Sequence, residues 1–123
     1  MLNALVIDDR ADFLEAIEIA FLKREFHVTT ARNAEEGLEK LNEAFDIICV
    51  DFNMPGMDGY DFCFTLKHHP ELSQYSHIPI IGIGDFPKDK REYLCACLPK
   101  GEQFSFNNLF YTINHIHFGA DLE

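Results

Sequence analysis

Three aspartates stand where short apolar runs stop: Asp8 and Asp9 follow Ala4-Leu5-Val6-Ile7, and Asp51 ends Asp46-Ile47-Ile48-Cys49-Val50-Asp51. If the two runs are neighbouring parallel strands, their carboxyl ends bring the three carboxylates together. That is the place in an open sheet where the strand order reverses and ligands bind. Clustered carboxylates repel one another, so such a group either raises the pKa of one member or recruits a cation. Hard oxygen donors with room for water suit Mg²⁺ better than a soft metal. Taken singly, each aspartate reads equally well as a helix cap or a solvated strand end. Three at one sheet edge favour the chemical reading.

The elements that must position them follow from periodicity. Ala4 to Ile7 is a strand buried on both faces, and Phe13, Leu14, Ile17, Ala20 and Phe21 recur at helical spacing up to about Arg24. Phe26 to Thr30 is a second strand, and Asn33 caps a helix that buries Ala34, Leu38 and Leu41. After the third strand, the turn-rich Asn53-Met54-Pro55-Gly56-Met57 leads to Asp58, placed to cap a helix reaching about Leu66. Residues 70–77 read as a polar loop, Ile78 to Ile83 as a fourth strand, and Pro87 to Leu94 as a short charged helix. Ala96-Cys97-Leu98 is a fifth strand, and Phe106, Leu109, Phe110, Ile113 and Ile116 mark a final helix; Gly119 to Glu123 reads as a tail. Alternation of this kind predicts an α/β fold, a doubly wound five-stranded parallel sheet, and the strand order 2-1-3-4-5 of the flavodoxin-like type would set its first and third strands side by side. One domain over residues 1–123 accounts for the chain, with no repeat or linker.

Composition narrows the function. Ten Lys and Arg against 21 Asp and Glu leave a net charge of −11, which repels phosphate backbones and anionic membranes, so no direct nucleic-acid or membrane partner is expected. No apolar run approaches the roughly 20 residues of a membrane span, and the N-terminus lacks a signal layout. The protein is expected to be soluble and cytoplasmic. Cys49, Cys63, Cys95 and Cys97 form no C-x-x-C pair and read as buried reduced thiols; His68, His69, His115 and His117 lack ligand spacing and read as solvated or core-edge residues. Neither G-x-G-x-x-G nor a P-loop run is present, which weighs against nucleotide binding.

The run Val6-Ile7-Asp8-Asp9, the segment from Val50 to Gly59 (VDFNMPGMDG) and the late Lys100 resemble the receiver domain of two-component response regulators. The resemblance covers essentially the whole chain, and the motifs fall in order on the right strand–helix units. It implies that Asp51 is the phosphoacceptor for a phosphohistidine on a histidine kinase or histidine phosphotransfer domain. It implies Mg²⁺ held by Asp9, Asp51 and the main-chain carbonyl of Asn53, with Asp8 acting through a metal water. Lys100 would pair with Asp51 and then with a phosphoryl oxygen; a lone lysine otherwise reads as solvated surface. Pro55, Gly56 and Gly59 would shape the loop without reacting, and Met54 and Met57 would pack.

Four positions depart from the family pattern. Gly84 stands where the fourth strand normally ends in Thr or Ser, so the hydroxyl that draws the next loop inward is missing, and Gly84→Thr is expected to restore that link. Asp85 replaces a usual Ala; an extra carboxylate beside the pocket could repel phosphate or bind the metal, and the preferred reading is a cap for the following helix. Cys97 takes the place of the switching aromatic, and Gly101 replaces the Pro after the lysine. The resemblance implies a signalling module that changes its affinity for a downstream partner through a face made by the fourth helix, fifth strand and fifth helix, and a homodimer is compatible with it. Phe104, Phe106, Phe110, Tyr111 and Phe118 offer aromatic surface there, several of them as core. The alternative is a pseudo-receiver, a constitutive docking module without effective phosphorylation. A dedicated Mg²⁺-dependent phosphatase is disfavoured, because the position two after Asp51 is Asn53 rather than a second Asp. At most slow self-dephosphorylation is expected, so the protein is not read as a dedicated enzyme.

Overall fold

The central strands are apolar on both faces, so each must be covered twice, and the structure does this with helices on either side of one sheet. The structure, a computed structural model, describes residues 1–119. Its elements are β1 (Asn3–Ile7), α1 (Ala11–Lys23), β2 (His27–Ala31), α2 (Ala34–Glu39), β3 (Ile47–Asp51), α3 (Gly59–His68), β4 (Ile80–Ile83), β5 (Ala96–Leu98) and α4 (Phe106–Phe118). The sheet runs β2-β1-β3-β4-β5 with every pairing parallel, as expected.

Alternate residues of each strand feed two cores. Leu5, Ile7, Ile48, Val50 and Ile80 face Phe62 and Leu66 of α3. Ala4, Val6, Ile47, Cys49, Ile81 and Ile83 face Leu14, Ile17 and Phe21 of α1 and Leu109, Phe110 and Ile113 of α4. Phe21 stacks on Phe26 at 5.0 Å and meets Phe110 edge-on at 5.2 Å, which ties the first helix to the last. The caps read from sequence are present. Asn33 accepts from the Glu36 amide, and Asp58 accepts from Asp61 in a reciprocal capping box that starts α3 beside the site.

Several expectations need correction. The segment from Pro87 to Leu94 forms no α-helix, only a 3₁₀ turn over Lys88–Lys90. Residues 87–92 (PKDKRE) contain no large apolar side chain, so a helix there would have no face to bury. Phe86 and Leu94, at the two ends of the segment, cover the sheet instead by lying directly on Gly82, where a Cβ would come within 2.7 and 2.6 Å of their rings and methyls. The face expected from a fourth helix, fifth strand and fifth helix is therefore only β5 and α4, joined by an irregular connection. Part of the expected polar loop, Pro70–Tyr75, is a 3₁₀ helix with Pro70 in its first turn. The cysteines divide: Cys49 and Cys63 are buried, and burial pushes both thiols up to about 12, whereas Cys95 is exposed and Cys97 half-buried. Of the expected tail, only Gly119 lies within the described residues. No helix among them is long and apolar enough to cross a membrane.

Candidate functional site

Strand register places the acids. Ile7 pairs with Val50 and Asp51 with Ile83, so the residue after β1 and the last residue of β3 end side by side. Asp8 is 1% exposed and Asp51 4%, while Asp9 is exposed. One carboxylate oxygen from each of Asp8, Asp9 and Asp51 lies within 4.8 Å of the others. The Arg10 amide donates to Asp8 Oδ1 at 2.8 Å, fixing that carboxylate at the end of the strand.

Lys100, beyond β5, reaches back across the sheet. Its Nζ lies 2.5 Å from Asp8 Oδ2 and 3.2 Å from Asp51 Oδ2, and 4.9 Å from the centre of the Phe13 ring. The ammonium thus bridges both buried acids and sits closer to Asp8 than to the Asp51 expected as its partner. Burial pushes the Asp51 carboxyl up to about 6, helped by the charges of Asp8 and Asp9 and opposed by Lys100. Three carboxylates meet one ammonium here, because Arg10 is turned to Asp12 at 2.9 Å. The surplus of negative charge and the oxygen-only donor set fit a hard dication.

A cavity of about 280 Å³ opens on the group, lined by Asp9, Arg10, Asp51, Asn53, Gly84, Asp85 and Lys100. Gly84 has φ +123°, and a Cβ on it would lie 3.1 Å from Asp51 Oδ1. The glycine is therefore required by its own backbone and by closeness to the acid, which changes the meaning of the missing hydroxyl. Thr at this position would be strained rather than restorative. Asp85 is exposed on the cavity wall and is not a helix cap, since the next helical turn starts at Lys88 with Pro87 before it. Cys97 points its Sγ to the Gly84 carbonyl at 3.6 Å, and the Gly84 amide donates to Leu98 at 2.8 Å. Gly101 has φ +78°, which a proline ring cannot adopt.

Asp8, Asp9, Asp51, Asn53, Lys100, Gly84 and Asp85 border the cavity or the acidic group, Cys97 touches it through Gly84, and Gly101 lies outside its lining. Sequence reasoning missed Arg10 on the cavity wall, the Phe13 ring under Lys100, and Phe86. Phe86 is 1% exposed and tilts against Phe52 at 5.0 Å, in a slot left by Gly59 and Gly82. The signal available for it was the pair of glycines, one opening α3 and one inside a buried strand.

Comparison with known proteins agrees with this architecture. A family model described as the response regulator receiver domain matches residues 4–101. The transcriptional regulatory protein FlgR of Helicobacter pylori is 31% identical over 78 residues, covering 63% of this chain and 19% of FlgR. This chain spans between about an eighth and a third of the length of the curated relatives it matches. The chemotaxis protein CheY4 of Vibrio cholerae superposes with a TM-score of 0.81 at 25% identity, covering 94% of this chain and 98% of that one. The response regulator TrrA of Thermotoga maritima, solved in complex with Mg²⁺ and BeF, gives 0.78 at 21% identity, covering 94% and 99%. With the sheet order, the acidic group and the family match in agreement, this chain belongs to the response regulator receiver domain family.

Proposed function

We propose that Asp51 accepts a phosphoryl group from the phosphohistidine of a histidine kinase or phosphotransfer domain, and that the protein thereby modulates a protein partner. The observation that carries this reading is a buried carboxylate at the floor of an open cavity, flanked by two further acids and bridged by one ammonium. In the transfer, the P–N bond of the donor breaks as a bond forms between phosphorus and an Asp51 oxygen. Asp51 must be ionised to attack, and its raised pKa still leaves it mostly ionised at neutral pH.

The residues present fit Mg²⁺. Asp9, Asp51 and the carbonyl of Asn53 would hold it, with Asp8 acting through a water, and TrrA, a similar protein, was solved with Mg²⁺ and BeF. When bound, the ion supplies positive charge against the repulsion between the acids and the incoming phosphoryl oxygens. Lys100 is poised to leave Asp51 for a phosphoryl oxygen while keeping its contact with Asp8. Arg10 also lines the cavity, but its guanidinium is engaged by Asp12, so Lys100 is the cation in contact with the acids. The downstream partner would be met by β5 and α4, where Tyr111 and Phe118 are exposed. We place the protein in the cytoplasm, where a kinase would supply the phosphoryl group.

Intact mass after incubation with acetyl phosphate and Mg²⁺ tests the reading. The expected result is a metal-dependent gain of one phosphoryl group that Asp51→Asn abolishes; uptake persisting in that variant refutes the assignment. A second reading, the constitutive docking module, is favoured by one observation: Gly84 carries no hydroxyl, and its backbone excludes one. It predicts no mass gain in the wild type.

A further inference from the structure

Asp85 has lost the occupation its sequence position suggested. No described side chain pairs with its carboxylate, it caps no helix, and it shares the cavity wall with Asp51, Asn53 and Lys100. Both of its neighbours are anchored. Gly84 is held to β5 through its amide at 2.8 Å and through the Cys97 thiol at 3.6 Å. Phe86 is sunk in the slot above Gly59 and Gly82, and its carbonyl accepts from Arg91 Nε at 2.8 Å. A residue fixed on both sides holds its backbone on the cavity wall, and its side chain is free to reach into the cavity. Next to it, Gly84 brings no side chain, so the wall beside Asp51 Oδ1 is bare backbone.

Resting on the phosphoacceptor reading above, we infer that Asp85 is the acid–base residue that discharges phosphorylated Asp51. A water entering the cavity on the side of the phosphoryl group opposite Asp51 gives a proton to the Asp85 carboxylate as its oxygen bonds to phosphorus, and the in-line bond between phosphorus and the Asp51 oxygen breaks. The products are the Asp51 carboxylate and inorganic phosphate, and the proton passes from Asp85 to bulk water. The phosphorylated state of this chain is accordingly short-lived, set by a residue on the chain itself.

The test loads the intact chain with acetyl phosphate and Mg²⁺, removes the donor by desalting, and follows the phosphorylated fraction by intact mass. Asp85→Asn is expected to lengthen the lifetime by about ten- to a hundredfold, and Asp85→Glu to stay within a few-fold of wild type. The solvent deuterium isotope effect on wild-type decay should shrink in Asp85→Asn. Because Asp85 is exposed, both variants should fold, which far-ultraviolet circular dichroism checks. Decay of Asp85→Asn at the wild-type rate, or equal slowing in Asn and Glu, overturns the inference and leaves the acceptor role of Asp51 standing. A wild type that takes up no phosphoryl group overturns the acceptor reading and this inference with it.

Discussion

Replacing Asp51 by Asn should make the metal-free protein more stable at neutral pH, although it removes one partner of an ion pair. Folding raises this carboxyl from 3.8 to about 6 in spite of Lys100, because burial and two neighbouring carboxylates outweigh one ammonium. A shift of about two units at about 1.4 kcal/mol each sets a ceiling of roughly 3 kcal/mol on the cost of the ionised native state. Water at the open cavity screens part of it, so the expected gain is about 1–3 kcal/mol. The sign follows from proton binding. Between pH values of about 4 and 6 the native state holds the Asp51 proton more tightly than the unfolded chain, so this group's contribution to wild-type stability is greatest below that window. It falls as pH rises through the window, and the full penalty applies above about 6. Asp51→Asn never ionises and escapes it. Urea unfolding in EDTA, followed by circular dichroism across the acid and neutral range, should show the variant above wild type at neutral pH and the two converging at low pH. A wild type as stable as Asp51→Asn at neutral pH, or a gap independent of pH, would refute the reasoning. Adding Mg²⁺ should stabilise the wild type more than the variant.

Three further variants probe other parts of the site. Gly84→Thr should lose about 1–3 kcal/mol in urea unfolding from its positive φ and the contact with Asp51, and wild-type stability in this variant would show that the loop relaxes freely. Lys100→Met leaves buried Asp8 without its ammonium and should cost roughly 3 kcal/mol in EDTA, with Mg²⁺ restoring part; an unchanged midpoint would remove the bridge from the account. Phe86→Ala empties the slot between Gly59 and Gly82 and should cost about 3–5 kcal/mol, with hydrogen exchange of residues 84–94 accelerated. Global destabilisation below 1 kcal/mol would mean that the ring is not the anchor of that connection.

The strands were legible because β1 and β3 are buried on both faces, and the four helices because α1 and α4 repeat their apolar residues at helical spacing or carry side-chain caps, as α2 and α3 do. Legibility failed where packing is made by isolated residues. In sequence Phe86 looks like a loop residue and Leu94 like the end of a short helix, and only the approach of both to Gly82 shows that they replace that helix. That substitution in turn removed the cap assigned to Asp85. The acids were legible as strand endings, but Lys100 lies 92 residues from Asp8 and carries no local signal, so it came only through the family resemblance. Gly84 was noticed for what it lacks. Its φ of +123° and its distance from Asp51 show instead what it permits.

The bridge from Lys100 to Asp8 joins nearly the first and nearly the last structured turns of the sheet. During synthesis Asp8 and Asp51 leave the ribosome well before their counter-charge exists, and β5 has only β4 to pair with when it arrives. A nascent chain halted before Lys100 would therefore carry an acidic notch without its bridging ammonium. Completion of the sheet and neutralisation of the notch are a single late event, so any break between β4 and Lys100 should silence the site while leaving most of the sheet in place.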